Sequence, residues 1–213
     1  MKKIAFALCW MAGAAVAQKG NLEIGLNAGW QSARISSVAT GSPVLKTSAR
    51  NGIGAGISAA YFWAGHWSAR VQLAYDQKGV QGHVVRAAMD QASGYSYRDI
   101  YSDFELDYLN LPVTVQWHYG EKLRWTLGGG AYIGYLTGSN QDASGGMASP
   151  VLSDTDYGWV ASTGLQWPAA PSLRIGLEYE FQQGLAEVFA VNPFNSAHTN
   201  IRHAVRVGIF YLL

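Results

Sequence analysis

The sequence predicts an all-β fold: an eight-stranded antiparallel up-and-down transmembrane β-barrel. Three observations predict it. Apolar residues alternate with small or polar ones along most of the chain, which gives extended segments two unlike faces. The connections between these segments alternate short and long, as they do in barrels that cross a membrane with their strands. Tryptophans gather beside the short connections, where a ring that is apolar in its body and polar at one edge suits a membrane–water interface.

The first strand sets Leu22, Ile24, Leu26, Ala28 and Trp30 against Glu23, Gly25, Asn27, Gly29 and Gln31. The second sets Ile53, Ala55, Ile57, Ala59 and Tyr61 against Gly52, Gly54, Gly56 and Ser58. In the third, Trp67, Ala69, Val71, Leu73 and Tyr75 oppose Ser68, Arg70, Gln72 and Asp76. The fourth places Leu109, Leu111, Val113, Val115 and Trp117 opposite Asn110, Pro112, Thr114, Gln116 and His118. Upstream, Phe104, Leu106 and Tyr108 hold the other parity, so a bulge over residues 107–110 is expected, with Pro112, which cannot donate to a ladder, beside it. The fifth strand carries Leu123, Trp125, Leu127, Ala131, Ile133 and Tyr135, and the sixth Tyr157, Trp159, Ala161, Thr163, Leu165 and Trp167. The seventh sets Leu173, Ile175, Leu177, Tyr179 and Phe181 against Arg174, Gly176, Glu178, Glu180 and Gln182. The eighth sets Ile201, Val205, Val207, Ile209, Tyr211 and Leu213 against Arg202, Arg206 and Gly208. Residues 64–66, 120–122 and 168–172 make short connections, and 36–50, 82–100, 138–153 and 184–199 make long ones.

Alternation alone also fits a soluble barrel, so the decision rests on which face is greasy. A soluble barrel turns its apolar face inward and covers the other with Lys, Glu and Asp. Here the second face is mostly Gly, Ser, Thr, Asn and Gln, and charged residues are 14% of the chain, against about 25% in soluble domains. The apolar face is therefore expected to meet lipid and the small-residue face a narrow lumen filled by side chains. Trp63, Trp67, Trp117, Trp125 and Trp167 are expected to form a periplasmic aromatic girdle, and Trp30, Tyr75, Tyr108, Tyr135, Tyr157 and Tyr179 the opposite one.

Residues 1–17 are expected to be a cleavable signal peptide, with residues 18–213 the barrel domain. Lys2 and Lys3 precede an apolar run to about Ala15, and Ala15-Val16-Ala17 supplies a cleavage site before Gln18. Cys9, the only cysteine, falls in that segment behind Leu8, which does not suit lipidation. No disulfide or thiolate metal site is then expected in the mature domain. Lys+Arg 15 against Asp+Glu 14 gives net charge +1, too little to bind nucleic acid by neutralising phosphates.

Gly25-Leu26-Asn27-Ala28-Gly29, Tyr75-Asp76-Gln77-Lys78-Gly79, residues 106–113 (LDYLNLPV) and Gly130-Ala131-Tyr132-Ile133-Gly134-Tyr135 resemble the PorT-like outer-membrane β-barrel proteins of Gram-negative bacteria. The resemblance spans nearly the whole domain and rests on strand and turn patterns. It implies an outer-membrane location and an envelope role, which for the founding member is a part in protein secretion. Leu213 stands where the assembly signal of such barrels prefers an aromatic residue; Tyr211, Ile209, Val207 and Val205 keep the alternation that the barrel-assembly machinery reads.

Arg70, Arg174, Glu178, Glu180 and Arg206 share the polar face, and a lumen network is expected in which Glu178 pairs with Arg206 across neighbouring strands. A paired network plugs the lumen; one that opens would make a solute path. His83, His198 and His203 approach the long-loop rim without a Ser–His–acid arrangement, so neither a catalytic site nor a metal or cofactor site is expected. Asp154 and Asp156 are expected in a solvated loop. Tyr95, Tyr97, Tyr101, Phe189 and Phe194 form either an adhesive external surface or an extension of the hairpins. The function expected first is a non-enzymatic structural or interaction protein of the envelope, surrounded by membrane lipid and possessing a secretion or other envelope partner. The alternatives are a narrow pore for small or apolar solutes and, last, a lipid-modifying enzyme.

Overall fold

The computed structural model describes residues 22–38, 48–89, 96–120, 122–143, 151–190 and 197–213. The expected signal peptide, Tyr95 and Phe194 lie outside the described residues, and at His83, Tyr97 and Tyr101 only the backbone is described.

Alternating side chains give β1 (Leu22–Val38), β2 (Ser48–Ala64), β3 (Trp67–Met89), β4 (Ser96–Tyr119), β5 (Arg124–Ala143), β6 (Thr155–Ala170), β7 (Leu173–Gly184) and β8 (Ala197–Leu212). They close into one barrel in chain order. Every pairing is antiparallel, and β8 returns to β1 from Glu23↔Leu212 to Val38↔Ala197. Leu213 N–H donates to the Leu22 carbonyl at 2.8 Å, so the barrel seam is sealed to the last residue. Closure leaves no row of unpaired amides, the condition for a sheet to lie in hydrocarbon.

The barrel is inside-out relative to a soluble one. Leu26 and Leu127 are each 60% exposed on the outer wall, while their inward neighbours Asn27 and Thr126 are buried. A lumen this narrow needs places where backbones or rings come close. Phe210 points inward, and a Cβ on Gly25, Gly176 or Gly208 would lie 2.6–2.8 Å from its ring. Glycines on β1, β7 and β8 thus make the socket for one aromatic ring near the short-turn end.

The outer half contains the main departure from the sequence expectation. β4 keeps one parity throughout: Phe104, Leu106, Tyr108, Asn110, Pro112 and Thr114 are all buried. The register shift at Asp107/Tyr108 instead belongs to β5, where Gly138 pairs with Asp107 and Leu136 with Tyr108. Thr137 is the extra residue, and its hydroxyl donates to the Asp107 carbonyl at 3.0 Å. The expected bulge in β4 is therefore corrected, and Tyr108, 1% exposed, belongs to the lumen rather than to an outer girdle. The other residues placed on that outer ring, Trp30, Tyr75, Tyr135, Tyr157 and Tyr179, are exposed.

A second irregularity lies where β2 meets β3, between Ala49 and Gly54. Gln31 Nε2 reaches from the lumen to donate to the carbonyls of Gln77 (2.7 Å) and Ile53 (3.2 Å). The Ile53 N–H donates to Gln77 Oε1 at 3.2 Å. Side-chain amides satisfy backbone groups that the ladder has released. Gly79, with φ 129°, lies within β3 at this level, in a backbone conformation that favours glycine.

Candidate functional site

The lumen is the site, and β3 arms it from one wall against β6, β7 and β8 on the other. In the lower tier, nearest the short turns, Arg124 pairs with Glu23 at 3.2 Å and lies 5.3 Å from the centre of the Phe62 ring. His118 Nε2 and Ser68 Oγ share a 2.8 Å hydrogen bond. Arg174 is half-buried at this end.

The middle tier carries the densest charge. Arg70 on β3 meets Glu178 on β7 through both guanidinium nitrogens, one contact measuring 2.6 Å, and also donates to Gln72 at 2.7 Å. Asp76 accepts from Arg202 and Arg206, both at 2.7 Å, and from Asn110 at 2.5 Å. Glu180 receives the other arms of the same two arginines. Asp76, Glu180, Arg202 and Arg206 are each at most 2% exposed. Such a cluster is stable only because every charge faces an opposite one and further hydrogen bonds, since a lone buried charge would be prohibitive.

In the upper tier Lys78 Nζ pairs with Asp156 at 2.8 Å and lies 4.7 Å from the Tyr132 ring centre and 5.0 Å from that of Tyr108. Tyr132 and Asn200 also donate to Asp156. Above this, Ile35, Val80, Phe104, Leu106, Tyr108, Val188 and Phe189 form an apolar cluster over the lumen. The segment after β7 is fastened there: Val188 N–H donates to the His198 carbonyl at 2.9 Å, and Ser153 N–H donates to the Val188 carbonyl at 2.8 Å.

Several sequence expectations change in this light. Glu178 and Arg206 are register partners on β7 and β8, yet the Glu178 carboxylate takes Arg70 from across the lumen, and Arg206 takes Asp76 and Glu180. Neighbouring side chains on one wall run alongside each other, whereas a narrow barrel lets long ones meet from opposite walls. Asp156 is buried in an ion pair rather than solvated, while Asp154 is exposed. Phe189 is 4% exposed, part of the apolar cover and no external adhesive surface. His198 points into the lumen against the Phe189 ring and His203 outward against Tyr179, so β8 divides these histidines between its faces. Asp76 and Arg202, on the polar parity but left out of the expected network, are its centre. Their parity was the available signal; Lys78 and Asp156 continue the same parity one step beyond the alternating segments as read.

On the outside, Trp63, Trp67, Trp117, Trp125 and Trp167 are 39–52% exposed around the short-turn end. Trp117 stacks on Tyr119 with ring centres 5.7 Å apart.

Similarity to known proteins agrees with this architecture. The outer membrane protein beta-barrel domain family matches residues 16–190. Similar solved structures include OprG from Pseudomonas aeruginosa, 9% identical with a TM-score of 0.54, covering 92% of this chain and 97% of that one. The outer membrane protein AlkL in lipid bilayers is 14% identical, with a TM-score of 0.51 and 92% of each chain covered. Neisserial surface protein A is 15% identical, with a TM-score of 0.50, covering 90% of this chain and 97% of that one. No curated protein matches the sequence. At these identities the structures share the fold alone, and the family match places the protein in the Gram-negative outer membrane. A closed, lipid-facing barrel of eight strands whose sequence matches over most of its length belongs to the outer membrane protein beta-barrel domain family.

Proposed function

We propose that this protein is a closed, non-conducting barrel, a structural or interaction protein of the envelope without a catalytic step of its own. The observation that carries the reading is the filled lumen. The cross-lumen ion pairs of Arg70, Asp76, Lys78 and their partners stand in series beneath an apolar cover. A solute would have to part buried pairs in each tier, and each separation leaves uncompensated charge. Interaction would then fall to the outside. β3 and β4 run for 23 and 24 residues, against the roughly 9–11 that a tilted strand needs to cross hydrocarbon. Their hairpin therefore extends above the membrane as the surface offered to an envelope partner.

Several finer assignments belong to the same proposal. Trp63, Trp67, Trp117, Trp125 and Trp167 act as the periplasmic girdle. Residues 1–17 direct export, the β8 strand engages the barrel-assembly machinery, and the PorT-like resemblance makes a secretion component one candidate partner.

The crevice beside Glu178, lined also by Thr126, Gly164, Gln166, Gly176 and Phe210, has no room for a water molecule, which supports the closed barrel over the narrow-pore alternative. Planar-bilayer recording from the purified full-length barrel separates the readings: the closed barrel gives a flat trace. Discrete conductance steps from the wild-type protein would overturn the proposal in favour of the pore.

A further inference from the structure

We propose that the outward face of β8, β1 and β2 at the outer rim binds the phosphate of an outer-leaflet glycolipid. Trp30 is half-exposed on the outer wall and pairs with Val205. One outward rung higher, about 7 Å along the strand, Ser32 stands between His203 on β8 and Asn51 on β2. The next outward residue of β1 is Arg34. This rung lies just beyond an interfacial tryptophan, at the height where lipid headgroups carry their phosphates.

The chemistry of the patch fits that ligand. Tyr179 Oη and His203 Nδ1 are 2.6 Å apart. A phenol is the stronger acid of the two, so its O–H donates to Nδ1 and the imidazole proton resides on Nε2. The Phe181 ring, its centre 4.9 Å from that of His203, holds the imidazole in place. The half-exposed histidine thus presents an oriented N–H donor on the rung it shares with Ser32 and Asn51. Arg34 is exposed and makes no ion pair among the described residues. Arg50, by comparison, is occupied by Glu105 at 2.8 Å. Of the described outer-rim acids, Asp103, Glu105 and Asp107 stand on β4, and Asp154 and Glu187 on the segments before β6 and after β7. None stands on the outer rim of β8, β1 or β2, and Glu105, which reaches β2, is paired with Arg50. A guanidinium, an imidazole N–H, a hydroxyl and an amide, with no carboxylate on the outer rim of their own strands, form an anion site, and charge-assisted donors supply its strength.

Native mass spectrometry of the folded, full-length protein in detergent tests the site with diphosphorylated lipid A as probe. The wild type is expected to retain the phosphorylated lipid and to lose its dephosphorylated form. The double variant Arg34→Ala with His203→Phe is expected to retain roughly tenfold less, and Thr137→Ala on the opposite rim as much as the wild type. Heat-modifiable migration on gels confirms that each variant is folded, and Arg34→Gln alone replaces the double variant if that one is not. Equal retention of both lipid forms, or full retention by the folded variants, would overturn the site. Displacement of the lipid by low-millimolar inorganic phosphate would also overturn it, because the patch would then be a general anion site. None of these readouts depends on whether the lumen conducts.

Discussion

The lower and upper halves of β4 follow the same geometry and opposite chemistry. From Leu109 to Trp117 the outward residues are apolar, and the inward ones apart from Pro112, namely Asn110, Thr114 and Gln116, are polar. Above that level Phe104, Leu106 and Tyr108 point inward, while Asp103, Glu105 and Asp107 point outward and are only partly buried. The parity never breaks; the solvent outside changes. Below the boundary the wall faces acyl chains, so polar groups are driven inward and must find partners there. Above it the wall faces water, and the hydrophobic effect restores an ordinary apolar interior. Val80 and Ile35 make the same switch on β3 and β1. The residue pair at which polarity inverts, Tyr108 and Leu109, therefore marks the outer limit of the hydrocarbon along this strand.

Substitutions on either side of that boundary test the comparison. The largest effect is expected from Asp76→Ala, below it. Removing this carboxylate leaves Arg202 and Arg206, which it bridges at 2.7 Å, to share Glu180, two buried cations on one carboxylate. A loss of about 4 kcal/mol in urea-unfolding from lipid vesicles is expected, and an unchanged midpoint would mean that the polar plug is dispensable. Next comes Leu127→Arg, on the lipid-facing wall. A cation at mid-depth costs about 3 kcal/mol, and the readout is the fraction of folded, heat-modifiable protein after vesicle refolding. If this variant folds as well as the wild type, the outward face does not meet lipid. The smallest effect is expected from Glu105→Leu, above the boundary, where water covers the wall. It gives up only a partly exposed pair with Arg50, worth less than about 1 kcal/mol. Destabilisation as large as that of Leu127→Arg would place the boundary higher than Tyr108.

The two tests of the preceding sections act on separate parts of this picture. Conductance addresses the charged tiers below the boundary, and lipid retention addresses the outer wall where β1 crosses it at Trp30 to Arg34.

How much of this was legible beforehand follows from the physics of the pattern. Period-two alternation is local, since successive side chains on any strand point opposite ways. The lipid-facing identity of Leu26, Leu127 and Val207, the alternation of short and long connections, and the inward parity of Arg70, Glu178, Glu180 and Arg206 could all be read residue by residue. The inversion at Tyr108 looked like a break in the strand, because alternation records polarity and cannot distinguish a bulge from a change of solvent. Only the tertiary structure decided between them, by showing β4 unbroken and the extra residue, Thr137, on β5.

The same division holds in the lumen. Sequence determined which charges enter it; closure decided which of them meet. Register places Glu178 beside Arg206, but the barrel is narrow enough for Arg70 to reach Glu178 from the opposite wall and for Asp76 to hold both Arg202 and Arg206. Strand order and parity are written in consecutive residues, whereas a contact across a lumen depends on the diameter and stagger set by all the strands together.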